Sequence, residues 1–112
     1  MSLALLLRCH DLDETRQFYE SVLGFSVGAS AGNTLTAELD GDKLLFTAQD
    51  LWRAGPALSG TIYFTVPDVD GLYARLQNRA EIAWPLQEMP YGSREFALSD
   101  CNGYLLAFQQ QR

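Results

Sequence analysis

The residues of this chain best suited to chemistry are two glutamates, Glu38 and Glu95, each set inside a short alternating apolar run. In such a run, alternate side chains share one face of a strand. Glu38 falls on the face opposite Leu35, Ala37 and Leu39, and Glu95 on the face opposite Phe96 and Leu98. A carboxylate on a largely apolar surface orients a cationic or hydrogen-bonding ligand, or serves as a general base. Arg8 closes the first apolar run on the face shared with Ala4 and Leu6, where it can meet a carboxylate of the protein or of a ligand. Other nucleophile arrangements are missing. The single histidine, His10, lies in a loop and reads as structural, so no Ser/His/Asp triad and no catalytic residue is assigned. One histidine and two distant cysteines, Cys9 and Cys101, make no zinc site and no disulfide framework.

The elements that position these residues occur twice. Asp11-Leu12-Asp13 follows an apolar run from Leu3 to Cys9, and Asp68-Val69-Asp70 follows a run from Ile62 to Val66. A helical period comes next in each case: Leu12, Thr15, Tyr19, Val22, Leu23, and then Val69, Leu72, Tyr73, Leu76. Asp11 with Glu14 forms a capping-box pattern, Gly24 stops the first helix, and Gly71 weakens the start of the second. Short alternating segments follow: Phe25 to Ala29, Thr34 to Leu39 and Lys43 to Thr47 in the first half, with Asp40-Gly41-Asp42 as a turn. In the second half they are Glu81 to Trp84, Arg94 to Ser99 and Tyr104 to Gln109, with a hairpin turn around Asn102-Gly103. Gly28 to Gly32 reads as another hairpin turn, not a phosphate loop, because no Gly-Lys-Ser/Thr follows it. Trp52, Trp84 and Tyr91 lie in or beside loops, where packing accounts for them.

With 112 residues the chain is a single domain, 1–112, with modules at 3–48 and 60–110. An apolar fraction of 47% with 20% charged residues predicts a packed globular protein. Eight basic and 14 acidic residues give a net charge of −6, which argues against a nucleic-acid partner and favours neutral or cationic ligands. The Leu3-Ala4-Leu5-Leu6-Leu7 run is too short for a membrane span or a signal peptide, so no membrane partner and a cytoplasmic location are expected.

The doubled strand-helix-three-strand unit, with DLDETRQFYESVLGF at 11–25 and YGSREFALSDCNGYLLAF at 91–108, resembles the vicinal oxygen chelate superfamily. This is the group of glyoxalases, bleomycin-resistance proteins and extradiol dioxygenases; the likeness is closest to its metal-free bleomycin-resistance branch. The second stretch is the more specific, matching the family's Y-G-x-R-E-F…D-x-x-G ending. The resemblance implies an α+β fold of two tandem βαβββ modules whose curved mixed sheets surround a cavity, and assembly as a homodimer. Metal enzymes of the family hold their ion with four side chains, two from each module. Carried onto this sequence, those positions are Ala4, Phe46, Thr61 and Ala107. Three lack any donor and the fourth offers only a neutral hydroxyl, so neither metal nor other cofactor is implied.

The function expected is that of a small-molecule binding protein without catalytic activity, sequestering a cationic or aromatic drug or metabolite. Its ligand-facing side chains would be Arg8, Glu38 and Phe46 from the first module, with Tyr63, Glu95, Leu105 and Ala107 from the second. The alternative is an enzyme of lyase, isomerase or dioxygenase type with a metal-free site using Glu38 or Glu95.

Overall fold

A computed structural model describes residues 3–30 and 33–112. The chain divides into two compact units, residues 1–57 and 58–112. The turn expected at Gly28 to Gly32 lies in part outside the described residues.

In the first unit, β1 (Ala4–Arg8) leads into α1 (Leu12–Gln17), then β2 (Ser26–Ser30), β3 (Thr34–Leu39) and β4 (Asp42–Thr47). The sheet order is β1-β4-β3-β2, with β1 parallel to β4 and the other pairs antiparallel. Asp11 begins α1 as expected: its backbone is extended and its carboxylate accepts from the Glu14 N–H at 3.0 Å. The helix does not continue as an α-helix to Leu23. From Phe18 to Val22 it widens into a π-helical turn, with Leu23 N–H donating to the Phe18 carbonyl at 3.1 Å. Gly24, at φ +80°, then releases the chain. This turn holds Tyr19 fully buried, its ring 5.3 Å from Phe25 and 5.0 Å from Phe46.

The Tyr19 contact corrects the expectation that Phe46 faces a ligand. Phe46 and Leu44 pair with Leu35 and Ala37 on the helix-covered side, and Leu45 takes the opposite face beside Thr36. The cause is one residue of turn. Asp40 and Gly41 alone connect the strands, at φ +50° and +91°, the backbone of a two-residue type I′ hairpin. With Asp42 already in the strand and paired with Leu39, every following side chain changes face.

The second unit repeats the plan with β5 (Thr61–Val66), α2 (Val69–Leu76), β6 (Glu81–Glu88), β7 (Arg94–Ser99) and β8 (Leu105–Gln110) in the order β5-β8-β7-β6. Asp68 caps α2 by accepting from Gly71 N–H at 3.1 Å. A Cβ at residue 71 would lie 2.4 Å from Asp68 Oδ2, so glycine makes room for the cap. Gln110 Oε1 accepts from Val69 N–H at 2.9 Å and reinforces the start that the sequence left weak. Under α2 the rings of Phe64, Phe108 and Phe96 stack at 5.5 and 5.4 Å, and Tyr73 of the helix meets Phe96 edge-on at 5.0 Å.

The β7–β8 turn is held by Asp100. Its carboxylate accepts from Asn102 N–H at 2.9 Å and Tyr104 N–H at 2.8 Å, and Gly103 takes φ +89°. The resulting register sets Phe96 beside Phe108 and Leu98 beside Leu106, with Ala97 beside Ala107 on the other face, the alternation read from the sequence.

Neither Cys9 nor Cys101 forms a disulfide, and no described helix is long and apolar enough to cross a membrane.

Candidate functional site

The face of the second sheet turned away from α2 carries a row of partners across all four strands: Tyr63, Ala107, Ala97 and Trp84. The next row holds Thr65, Gln109, Glu95 and Gln87. Glu95 is fully buried. Its Oε2 accepts from the Tyr63 hydroxyl at 3.0 Å and from the Trp84 indole N–H at 3.2 Å, and its Oε1 accepts from the Tyr91 hydroxyl at 2.8 Å. Burying a carboxylate is costly unless hydrogen bonds replace its water. Here three neutral donors do so, each strengthened by the charge it serves.

Each donor is placed by a local feature. Tyr63 lies partly exposed on edge strand β5 beside Ala107 of β8, and its phenol reaches Glu95 on the strand beyond. Trp84 comes from β6, which continues to Glu88 through Pro85 instead of stopping at the tryptophan. An edge strand tolerates that proline, and the pairing with β7 shifts register on both sides of Trp84. Tyr91 stands in the three-residue loop Pro90-Tyr91-Gly92, closed by Met89 N–H donating to Ser93 O at 2.7 Å, with Gly92 at φ +87°. The Tyr63 and Tyr91 oxygens are 3.5 Å apart. Contact with Tyr63 and then with the Glu95 carboxylate pushes the Tyr91 hydroxyl well above the usual phenol range.

No ion pair reaches Glu95 among the described residues. Its neighbour Arg94 makes two hydrogen bonds to Asp70 of α2, at 3.1 and 2.5 Å. Those bonds hold the Asp70 carboxyl below its ordinary range and push the Arg94 guanidinium up.

Tyr63, Glu95 and Ala107 are thus brought together, and Leu105, half-buried at the head of β8, shares their face. Arg8 and Glu38 belong to the other unit and have settings of their own. Arg8 pairs with Asp50 at 3.1 Å and donates to the Ala54 carbonyl, while Asp50 also accepts from Ala54 N–H at 2.9 Å. Asp50, a loop acid, is thus a partner of Arg8 that the sequence reading did not name. Glu38 stands opposite Lys43 across β3 and β4, and with Ser26, Gly28 and Thr36 it edges a depression of about 300 Å³. Trp84 and Tyr91, read as packing rings, are the members of the cluster that sequence reasoning missed. A weak signal existed for Tyr91, four residues before Glu95 with a glycine turn between.

The donor set does not fit a divalent ion. Ala4, Thr61 and Ala107 supply at most one neutral hydroxyl, and the fourth position offers Phe46 in the core or Leu45 on the other face. Among the described residues no three His, Cys, Asp or Glu side chains group as metal ligands.

The family model described as Glyoxalase/Bleomycin resistance protein/Dioxygenase superfamily matches residues 3–108. The chain belongs to that superfamily. Solved glyoxalase-type structures share its fold. A member of the superfamily from Sphaerobacter thermophilus DSM 20745 superposes with a TM-score of 0.83 at 20% identity, covering 99% of this chain and 97% of the other. TioX from Micromonospora sp. ML1 gives 0.82 at 20% identity, with 100% and 99% covered. A glyoxalase/bleomycin resistance protein/dioxygenase from Alicyclobacillus acidocaldarius gives 0.78 at 25% identity, with 98% and 90% covered. A comparison with curated proteins finds no match. In this superfamily member, then, each unit is the βαβββ module of the fold, and the Glu95 cluster lies on the sheet of the second.

Proposed function

We propose that this superfamily member is a small-molecule binding protein that works without a metal ion, sequestering a drug or metabolite in the cytoplasm as a homodimer. The observation that carries the reading is the fully buried Glu95 carboxylate held by three aromatic donors, two of which remain exposed: Tyr63 by 44% and Tyr91 by 64%. Large rings left in solvent around a buried charge are poor choices for an ordinary sheet face and good ones for a recognition surface. Superfamily membership alone does not choose between binding and catalysis, because function lives in the site. The geometry favours binding. A general base needs an oxygen within reach of the substrate proton, whereas both Glu95 oxygens already accept hydrogen bonds and the side chain is buried.

The test uses Trp84 as reporter. Trp52→Phe leaves Trp84 as the single tryptophan, and its fluorescence is followed against a broad library of small drug-like and metabolite-like compounds. Saturable changes that Tyr91→Ala abolishes support the reading. A library that leaves Trp84 and the melting temperature unmoved sinks it. Light scattering checks the assembly, for which a mass twice that of the 12.5 kDa chain is expected.

A further inference from the structure

The hydrogen atoms of the cluster decide what it can recognise. A phenol hydroxyl carries one proton, and an indole nitrogen carries one. Tyr63 directs its proton at Glu95 Oε2, Tyr91 at Oε1, and the Trp84 N–H is also spent on Oε2. Neither phenol has a second proton for the other, so the 3.5 Å between their oxygens separates two acceptors. Outward from Glu95, these two exposed rings therefore offer lone pairs and no donor. Behind them, one hydrogen bond away, lies a negative charge that no described ion pair neutralises. Its neighbours in the sheet, Gln87 and Gln109, are neutral, and Arg94 is engaged by Asp70.

Resting on the binding reading above, we infer that the Tyr63 and Tyr91 oxygens form a two-acceptor site for an organic cation bearing N–H groups, a primary ammonium or guanidinium, with Glu95 as the counter-charge behind them. Two oxygens 3.5 Å apart both lie within hydrogen-bond reach of one nitrogen. A carboxylate or phosphate would meet lone pairs and a like charge. A quaternary ammonium would carry the charge and leave both acceptors unused. The chain's net charge of −6 draws cations of either kind toward the protein, so the contrast between them isolates the local geometry.

The experiment titrates the Trp52→Phe protein, at neutral pH, with matched probes: benzylamine, benzamidine, benzyltrimethylammonium, benzyl alcohol and benzoate. Benzylamine and benzamidine are expected to bind, with benzyltrimethylammonium and benzyl alcohol weaker by about tenfold or more, the worth of one good hydrogen bond. Benzoate should not bind. Tyr91→Phe keeps the ring and removes one acceptor, and should weaken benzylamine by about tenfold. Glu95→Gln removes the charge and gives one phenol a donor to face, so benzylamine should lose affinity while benzyl alcohol holds or gains. Benzoate or benzyltrimethylammonium binding as tightly as benzylamine overturns the inference and leaves the binding reading standing. So does a set of library hits at Trp84 made up of anions and neutral compounds. Failure of every probe and of the whole library removes the binding reading, and this inference with it.

Discussion

Tyr63 and Glu95 stand on strands separated by β8, yet the phenol oxygen lies 3.0 Å from the carboxylate. Two strand spacings amount to about 9.6 Å between backbones, and on the strand between them the register partner of Tyr63 is Ala107, whose side chain is a single methyl. The position to which the family resemblance assigns a metal ligand holds an alanine beside Tyr63.

Ala107→Leu should therefore act as an obstruction. The added side chain would push Tyr63 off Glu95 and crowd a buried position, at a cost of about 1–3 kcal/mol. Urea unfolding of the variant measures it, and Ala107→Ser should be milder. A midpoint unchanged by leucine would show that the phenol does not cross Ala107.

The phenol of Tyr91 should resist ionisation. Its folded pKa is raised by Tyr63 and Glu95, whereas an unfolded tyrosine ionises near about 10. The contribution to stability is intact below the unfolded value and falls as pH rises above it, because the unfolded chain then holds fewer protons. Tyrosinate absorbance of wild type and Tyr91→Phe should superimpose up to alkaline unfolding. An extra wild-type signal at the ordinary tyrosine pKa speaks against the cluster.

Asp68 and Gly71 should be coupled. Gly71→Ala adds helix propensity of about 1 kcal/mol while its Cβ displaces the capping carboxylate, a loss of similar size. Near neutrality is expected in the wild type and a gain of about 1 kcal/mol in an Asp68→Ala background. A double-mutant cycle reads the difference directly. Simple additivity would mean that the cap and the added methyl coexist.

Metal should leave the protein indifferent. With Ala4, Thr61 and Ala107 at three positions that the family resemblance assigns to metal ligands, EDTA, nickel, zinc and manganese should not move the melting temperature, since only a ligand of the native state would raise it. One tightly held equivalent of metal would reverse the metal-free reading.

The fold was legible where a turn and an alternation agreed. The β7–β8 hairpin needed only the Asp100 to Gly103 turn and the Phe96, Leu98, Leu106, Phe108 pattern, and its register followed. Alternation without a counted turn failed. Between Leu39 and Leu44 the apolar pattern fits either face, and the difference between a two- and a three-residue loop placed Phe46 in the core. Helical spacing around Tyr19 does not distinguish an α-helical turn from a π-helical one, because both bring that residue to the core side. At the site, Glu95, Tyr63 and Ala107 shared a readable face. Trp84 was hidden by Pro85, which looks like the end of a strand but sits in an edge strand that runs on. Tyr91 acts from a loop, and loop side chains have no periodicity to betray where they point.

The two halves of the chain repeat one topology but treat their strand acids differently. In the first, Glu38 faces Lys43 across the β3–β4 pair. In the second, Glu95 faces Gln87 and Gln109, which are neutral. Internal duplication has been kept in the backbone and broken in the side chains, so a twofold-repeated architecture sets one strand acid opposite a lysine and the other between neutral glutamines. Saturation at one ligand per chain is the stoichiometry that follows.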